Sequence, residues 1–150
     1  MSYKTFQISD GISLIQETHV ANFMRCNIWH IKGQEFDLLI DTGMGLSSLK
    51  KYILEETSKP IKAIVTHSHF DHCGSLHEFN CRLGHKNEED ILEKTLNDKI
   101  VFSGAWKEIE IIDKKQFPEY SGEKYTVTPA PLTGYLAVSY THLRAHETEA

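Results

Sequence analysis

These 150 residues predict one α/β domain built in layers. Short β-rich runs fill the first third of the chain, and beyond it β-rich and helix-patterned stretches alternate as β-α-β-α. The composition suits a packed fold, with 40% hydrophobic and 25% charged residues, so wholesale disorder is not expected.

Phe6 to Ile8 and Ile12 to Gln16 flank Asp10-Gly11, a two-residue hairpin signal. Asn22 to Ile31 is rich in β-branched and aromatic residues and reads as the next strand. Lys32 to Glu35 reads as a turn and Phe36 to Ile40 as a strand running into Asp41-Thr42-Gly43, with Gly45 close behind. Ser47 or Ser48 can cap a helix. Leu46, Leu49, Tyr52 and Ile53 share one face, which carries that helix to about Glu56, and Pro60 stops it. Ile61 to Thr66 is apolar except for Lys62 and suits a buried strand. Gly74 to Phe79 reads as a short helix and Cys81 to Gly84 as a short strand. Asn87, with Asp90 three residues on, approximates a capping box for a second helix whose buried face is Ile91, Leu92 and Leu96. Its Lys and Glu residues from Glu88 to Lys99 read as a solvated face. Tyr125 to Thr128 reads as a further strand.

Sixteen Lys and Arg against 21 Asp and Glu leave a net charge of −5. That balance argues against a nucleic-acid binder, which carries a basic patch. The longest apolar runs are only a few residues, such as Leu38-Leu39-Ile40, far short of the roughly 20 residues of a membrane span. Met1 to Asp10 shows no secretory signal pattern. Cys26, Cys73 and Cys81 have no paired spacing, so a reducing cytoplasm is expected rather than a disulfide framework.

The strongest chemical signal is Thr66-His67-Ser68-His69-Phe70-Asp71-His72-Cys73-Gly74, which follows directly on a buried strand. Imidazole nitrogens and carboxylate oxygens suit zinc and similar divalent metals. Alternation puts His67 and His69 on one side of an extended segment. The turn after Phe70 can bring Asp71 and His72 to a second position a few ångströms away. One loop thereby offers ligands to two adjacent metals, an arrangement that can generate a hydroxide near neutral pH and clamp the reacting oxygens. Cys73 reads as a small residue packed behind the loop before a soft metal ligand, and Phe70 and Trp29 as core aromatics before the lining of a substrate pocket.

His67-x-His69-x-Asp71-His72 resembles the signature of the metallo-β-lactamase fold superfamily, and Asp41-Thr42-Gly43 resembles the motif on its neighbouring strand. The resemblance covers about Met1 to Leu136. It implies a four-layer αβ/βα sandwich, present here as its N-terminal part, with a metal site at one edge. It implies His67 and His69 on a first metal, Asp71 and His72 on a second, and a bridging hydroxide oriented by Asp71. Asp41 would hold the ligand loop through hydrogen bonds; as a strand-end turn residue it has an equally good explanation. His69 stands where the flavodiiron branch carries Glu, and His72 where one group of antibiotic-hydrolysing members carries another residue. The wording that remains is most similar to that of glyoxalase-II-like thioesterases and lactonases. The expectation is a hydrolase with two divalent metals, zinc before iron or manganese, directing a metal-bound hydroxide at a thioester, lactone or similar acyl bond of a small molecule. The rivals are an inactive fragment with half a metal site and an exposed apolar sheet face, and an iron-dependent persulfide dioxygenase.

The family's downstream ligands have no counterpart after His72: no Gly-His-Thr/Ser-like turn, and no Asp beyond Asp113. His77 and His85 read as capping or surface histidines. Residues 1–136 are therefore expected to be a partial domain, and residues 137–150, with His142 and His146, a tail outside it.

Overall fold

The computed structural model describes residues 2–94 and 112–137. Leu96, Trp106, His142, His146 and all but the first residue of the expected tail lie outside the described residues. The alternating and β-rich runs become a seven-stranded sheet whose spatial order follows the sequence. β1 (Tyr3–Ser9) and β2 (Ile12–Glu17) form the hairpin at Asp10-Gly11, with Gly11 at φ 70°. β3 (Ile28–Ile31) and β4 (Asp37–Ile40) extend it antiparallel. The sheet then turns parallel through β5 (Ile61–Ile64), β6 (Cys81–Gly84) and the two-residue β7 (Gly134–Tyr135). The parallel step from β4 to β5 is made by α1 (Leu49–Ile53), capped by Ser48, whose hydroxyl accepts from Lys51 N at 3.1 Å.

Several expectations change. The strand expected from Asn22 begins only at Ile28. A turn closes at Met24, and the Arg25 guanidinium donates to Val20 O at 2.6 Å, so residues 21–27 form no strand. The second helix is a 3-10 turn, Lys86–Glu88, running into α3 (Glu89–Leu92), and its cap is His85, whose Nδ1 accepts from Asn87 N. Leu92 is buried but Ile91 is exposed. Tyr125 to Thr128 forms no named strand, yet Tyr125 and Val127 are core residues.

One sheet face carries the core. Tyr3, Ile15, Ile28, Leu39 and Ala63 pack there with Leu49 and Ile53 of α1 and with Leu76 and Phe79. On the other face, Leu14, Trp29, Ile40, Ile64 and Leu83 line up in register across five strands and stay half-buried. No second sheet covers that row among the described residues. No helix of the described residues is long and apolar enough to cross a membrane.

Candidate metal centre

The site forms where two adjacent parallel strands end, the usual place for a ligand in an open α/β sheet. β4 delivers Asp41 and β5 delivers Thr66 to His72. Asp41 is the one non-glycine of the described residues with positive φ, 62°. In that turned-back conformation its buried carboxylate faces the neighbouring loop. Oδ1 accepts from Thr66 N at 2.8 Å, and Oδ2 accepts from Thr66 Oγ1 and bonds His72 Nδ1, each at 2.8 Å. Asp41 is thus both a strand-end turn residue and the brace of the histidine loop.

The two loops are also joined through their backbones. Thr42 N donates to His72 O and Gly74 N to Gly43 O, both at 2.8 Å. A Cβ on Gly74 would lie 2.1 Å from Met44 C, so only glycine allows this approach. The first turn after Phe70 is helical: α2 (Phe70–Cys73) presents Asp71 and His72 on one short turn.

The expected ligands are neighbours in pairs. The His67 ring centre lies 4.5 Å from that of His69 and 4.2 Å from that of His72. With Nδ1 of His72 engaged by Asp41, its Nε2 lies 3.4 Å from Asp71 Oδ2. His67 Nδ1 is likewise engaged, 2.9 Å from Thr66 Oγ1. Both rings therefore keep the other nitrogen for a ligand, with the tautomer set by the neighbour. Burial lowers the His67 pKa and the adjacent His72 and His69 lower it further, which favours the neutral imidazole that binds metals. Asp41 raises that of His72 through its hydrogen bond. Three imidazoles and a carboxylate, two of the rings braced at Nδ1, have the donor chemistry that suits a divalent cation.

Three participants were not expected. Cys26 Sγ lies 3.6 Å from His72 Nδ1, and Cys26, Asp41 and His72 offer ligand atoms within 4.8 Å of one another. Burial holds the Cys26 thiol well above its ordinary pKa. Glu88, expected on a solvated helix face, turns back to accept from Ser68 N at 2.8 Å and so steadies the histidine loop. Glu17, fully buried at the end of β2, accepts from Met44 N. Cys73 packs behind the loop as expected; burial pushes its thiol up to about 12. His85 caps its turn and His77 is exposed, in line with their expected roles. Phe70 is in the core, but Trp29 is not: it joins Phe23, Met24 and Ile40 along an open cleft that also includes Asp41, Thr66, Asp71 and His72.

Residues 21–88 match the family model of the metallo-beta-lactamase superfamily. The human acyl-coenzyme A thioesterase MBLAC2 is 35% identical over 111 residues, 66% of this chain and 40% of its own. The chicken protein of the same name is 30% identical over 131 residues, 81% of this chain and 46% of its own. The chain thus spans less than half the length of these relatives. A solved metallo-beta-lactamase with a HARLDQ motif from Cronobacter sakazakii superposes with a TM-score of 0.57 at 13% identity, over 89% of this chain and 48% of that one. That likeness carries the fold.

Proposed function

We propose that this chain, which through residues 21–88 belongs to the metallo-beta-lactamase superfamily, hydrolyses acyl thioesters of a small carrier such as coenzyme A. The observation that carries the reading is the brace from Asp41 to His72, which turns the second ring nitrogen toward Asp71 at the mouth of the cleft. The likeness to relatives named acyl-coenzyme A thioesterases favours a thioester among the acyl bonds.

His67 and His69 would hold one divalent cation, zinc by preference, and Asp71 and His72 a second. Bound cations supply Lewis acidity, which polarises a carbonyl and acidifies water near neutral pH. Asp71 orients the attacking water and takes its proton on the carboxylate. Attack at the carbonyl carbon breaks the C–S bond, and the thiol leaves with a proton. Trp29, Phe23 and Met24 offer the acyl group an apolar wall. The free cysteines at 26, 73 and 81 suit the reducing cytoplasm.

The test combines metal analysis after gel filtration with thiol release from a series of acyl-coenzyme A esters, beside a His67→Ala control. Metal retained by the wild type and lost in the control, together with metal-dependent thiol release, is the expected outcome. A protein that binds metal but releases thiol from no thioester overturns the substrate; one that binds none overturns the site.

A further inference from the structure

Strand alternation turns Ser13, Ile15 and Glu17 of β2 toward the core. A carboxylate is a costly residue for the last of these positions, because its removal from water must be offset by hydrogen bonds. Glu17 is 0% exposed. Its two oxygens lie 2.9 and 3.1 Å from Met44 N. His19 Nε2 lies 3.8 Å from Glu17 Oε1, and burial favours the neutral form of that ring. Gly43 is shaped around the same carboxylate: a Cβ there would sit 2.6 Å from Oε2, and its φ is 66°.

The segment Asp41 to Gly45 carries three left-handed residues, at φ 62°, 66° and 76°. For Asp41, a non-glycine, that backbone is unfavourable and persists only where surrounding contacts enforce it. The His72 side of the segment is tied to the histidine loop. Glu17 holds its underside, and Tyr125 Oη closes the other side by donating to Met44 O at 2.5 Å.

We propose that Glu17 is a positioning residue for the metal centre: by anchoring the Met44 amide, beside a Gly43 shaped around its carboxylate, it holds Asp41 in its left-handed conformation and, through Asp41, fixes the orientation of His72. The proposal rests on the metal reading above only for its affinity measurement; the orientation of His72 is tested without metal.

The experiment uses the whole chain with 15N-labelled histidine, in the wild type, Glu17→Gln, Glu17→Leu and the control Ile15→Val. Ile15 lies on the same buried face of β2 and touches neither loop through a hydrogen bond. The metal-free wild type should show a protected Nδ1–H signal from His72. Glu17→Leu should lose it and bind Co(II) about tenfold more weakly, the range seen when outer partners of ligands are removed. Glu17→Gln, which keeps one acceptor oxygen, should fall between. Ile15→Val should lower Tm and leave both readouts unchanged. Should Glu17→Leu fail to fold, Glu17→Gln decides: a weakened signal supports the proposal, and a wild-type signal overturns it. A lower Tm in the Glu17 variants with unchanged signal and Co(II) affinity shows a merely structural role and overturns it, as does a wild type without the signal. A wild type with the signal but no Co(II) binding sinks the metal reading alone.

Discussion

Replacing Asp41 by Asn tests the brace at its centre. Asn tolerates left-handed backbone, so the φ of 62° at this position survives the change. The amide oxygen can keep the bond from Thr66 N. The amide nitrogen then faces His72 Nδ1 in place of an oxygen 2.8 Å away. Two donors cannot share that contact, so the imidazole must give up its Nδ1–H tautomer or rotate. Either change misdirects the nitrogen that faces Asp71. The Asp41 side chain is only 6% exposed, so water does not replace the lost bond. A charged hydrogen bond contributes about 1.5–3 kcal/mol. At 1.4 kcal/mol per decade that becomes roughly a 10- to 100-fold loss of metal affinity. Competition titration with Co(II) reads the loss directly, and thermal unfolding reads the stability beside it. Asp41→Ala should lose more, because it adds a left-handed penalty of about 1–2 kcal/mol. Wild-type affinity in Asp41→Asn would refute the reasoning, whatever its Tm.

Gly74→Ala should force the two loops apart, since its Cβ would meet Met44 backbone at 2.1 Å; a stability loss of about 1–3 kcal/mol and weaker metal binding are expected, and unchanged unfolding would contradict the close approach. Asp71→Ala should remove thioester hydrolysis while leaving the fold intact by circular dichroism, and near-normal turnover would reject its assigned role. Burial raises Glu17 from 4.5 to about 7, so its contribution to stability is full below pH 4.5 and is lost as pH rises through 7. Glu17→Gln should therefore gain on the wild type across that window by at most about 3 kcal/mol, and parallel denaturant curves at every pH would contradict it. His19 works in the opposite direction: burial lowers it to about 4, so its contribution is present above pH 6.5 and lost as pH falls through 4. His19→Phe should flatten the acid side of the stability curve, and an unchanged acid limb would reject the assignment.

Features that are local in the chain were legible from residues alone. Asp10-Gly11 makes its hairpin through a two-residue rule, and the apolar run from Ile61 becomes the parallel strand β5. The histidine loop is readable because its side chains lie within six positions of one another. Groups that reach the site through the sheet or across loops left no trace. Cys26 meets His72 across 46 positions, Met44 meets Glu17 across 27, and Tyr125 reaches Met44 across 81. A lone cysteine before a strand and a glutamate ending one have no spacing that marks them. Asn22 to Asn27 failed differently: their β propensity is overruled by the turn at Met24 and the Arg25 contact with Val20. Glu88 shows that a charge on a helical pattern can be spent on a backbone amide rather than on water.

Trp29 belongs both to the half-buried row across the sheet and to the wall of the cleft. The chain has only two tryptophans, so a Trp106→Phe variant leaves this indole as the sole long-wavelength emitter. Such a chain carries its own fluorescent reporter. Its emission in the free protein should be that of a half-wet indole, and an acyl group settling along Phe23 and Met24 should shift it to the blue. Anything that covers the sheet row from Leu14 to Leu83 should shift it as well, but without competition from an acyl ligand. One optical signal, read with and without that competitor, can therefore separate occupancy of the cleft from occupancy of the face.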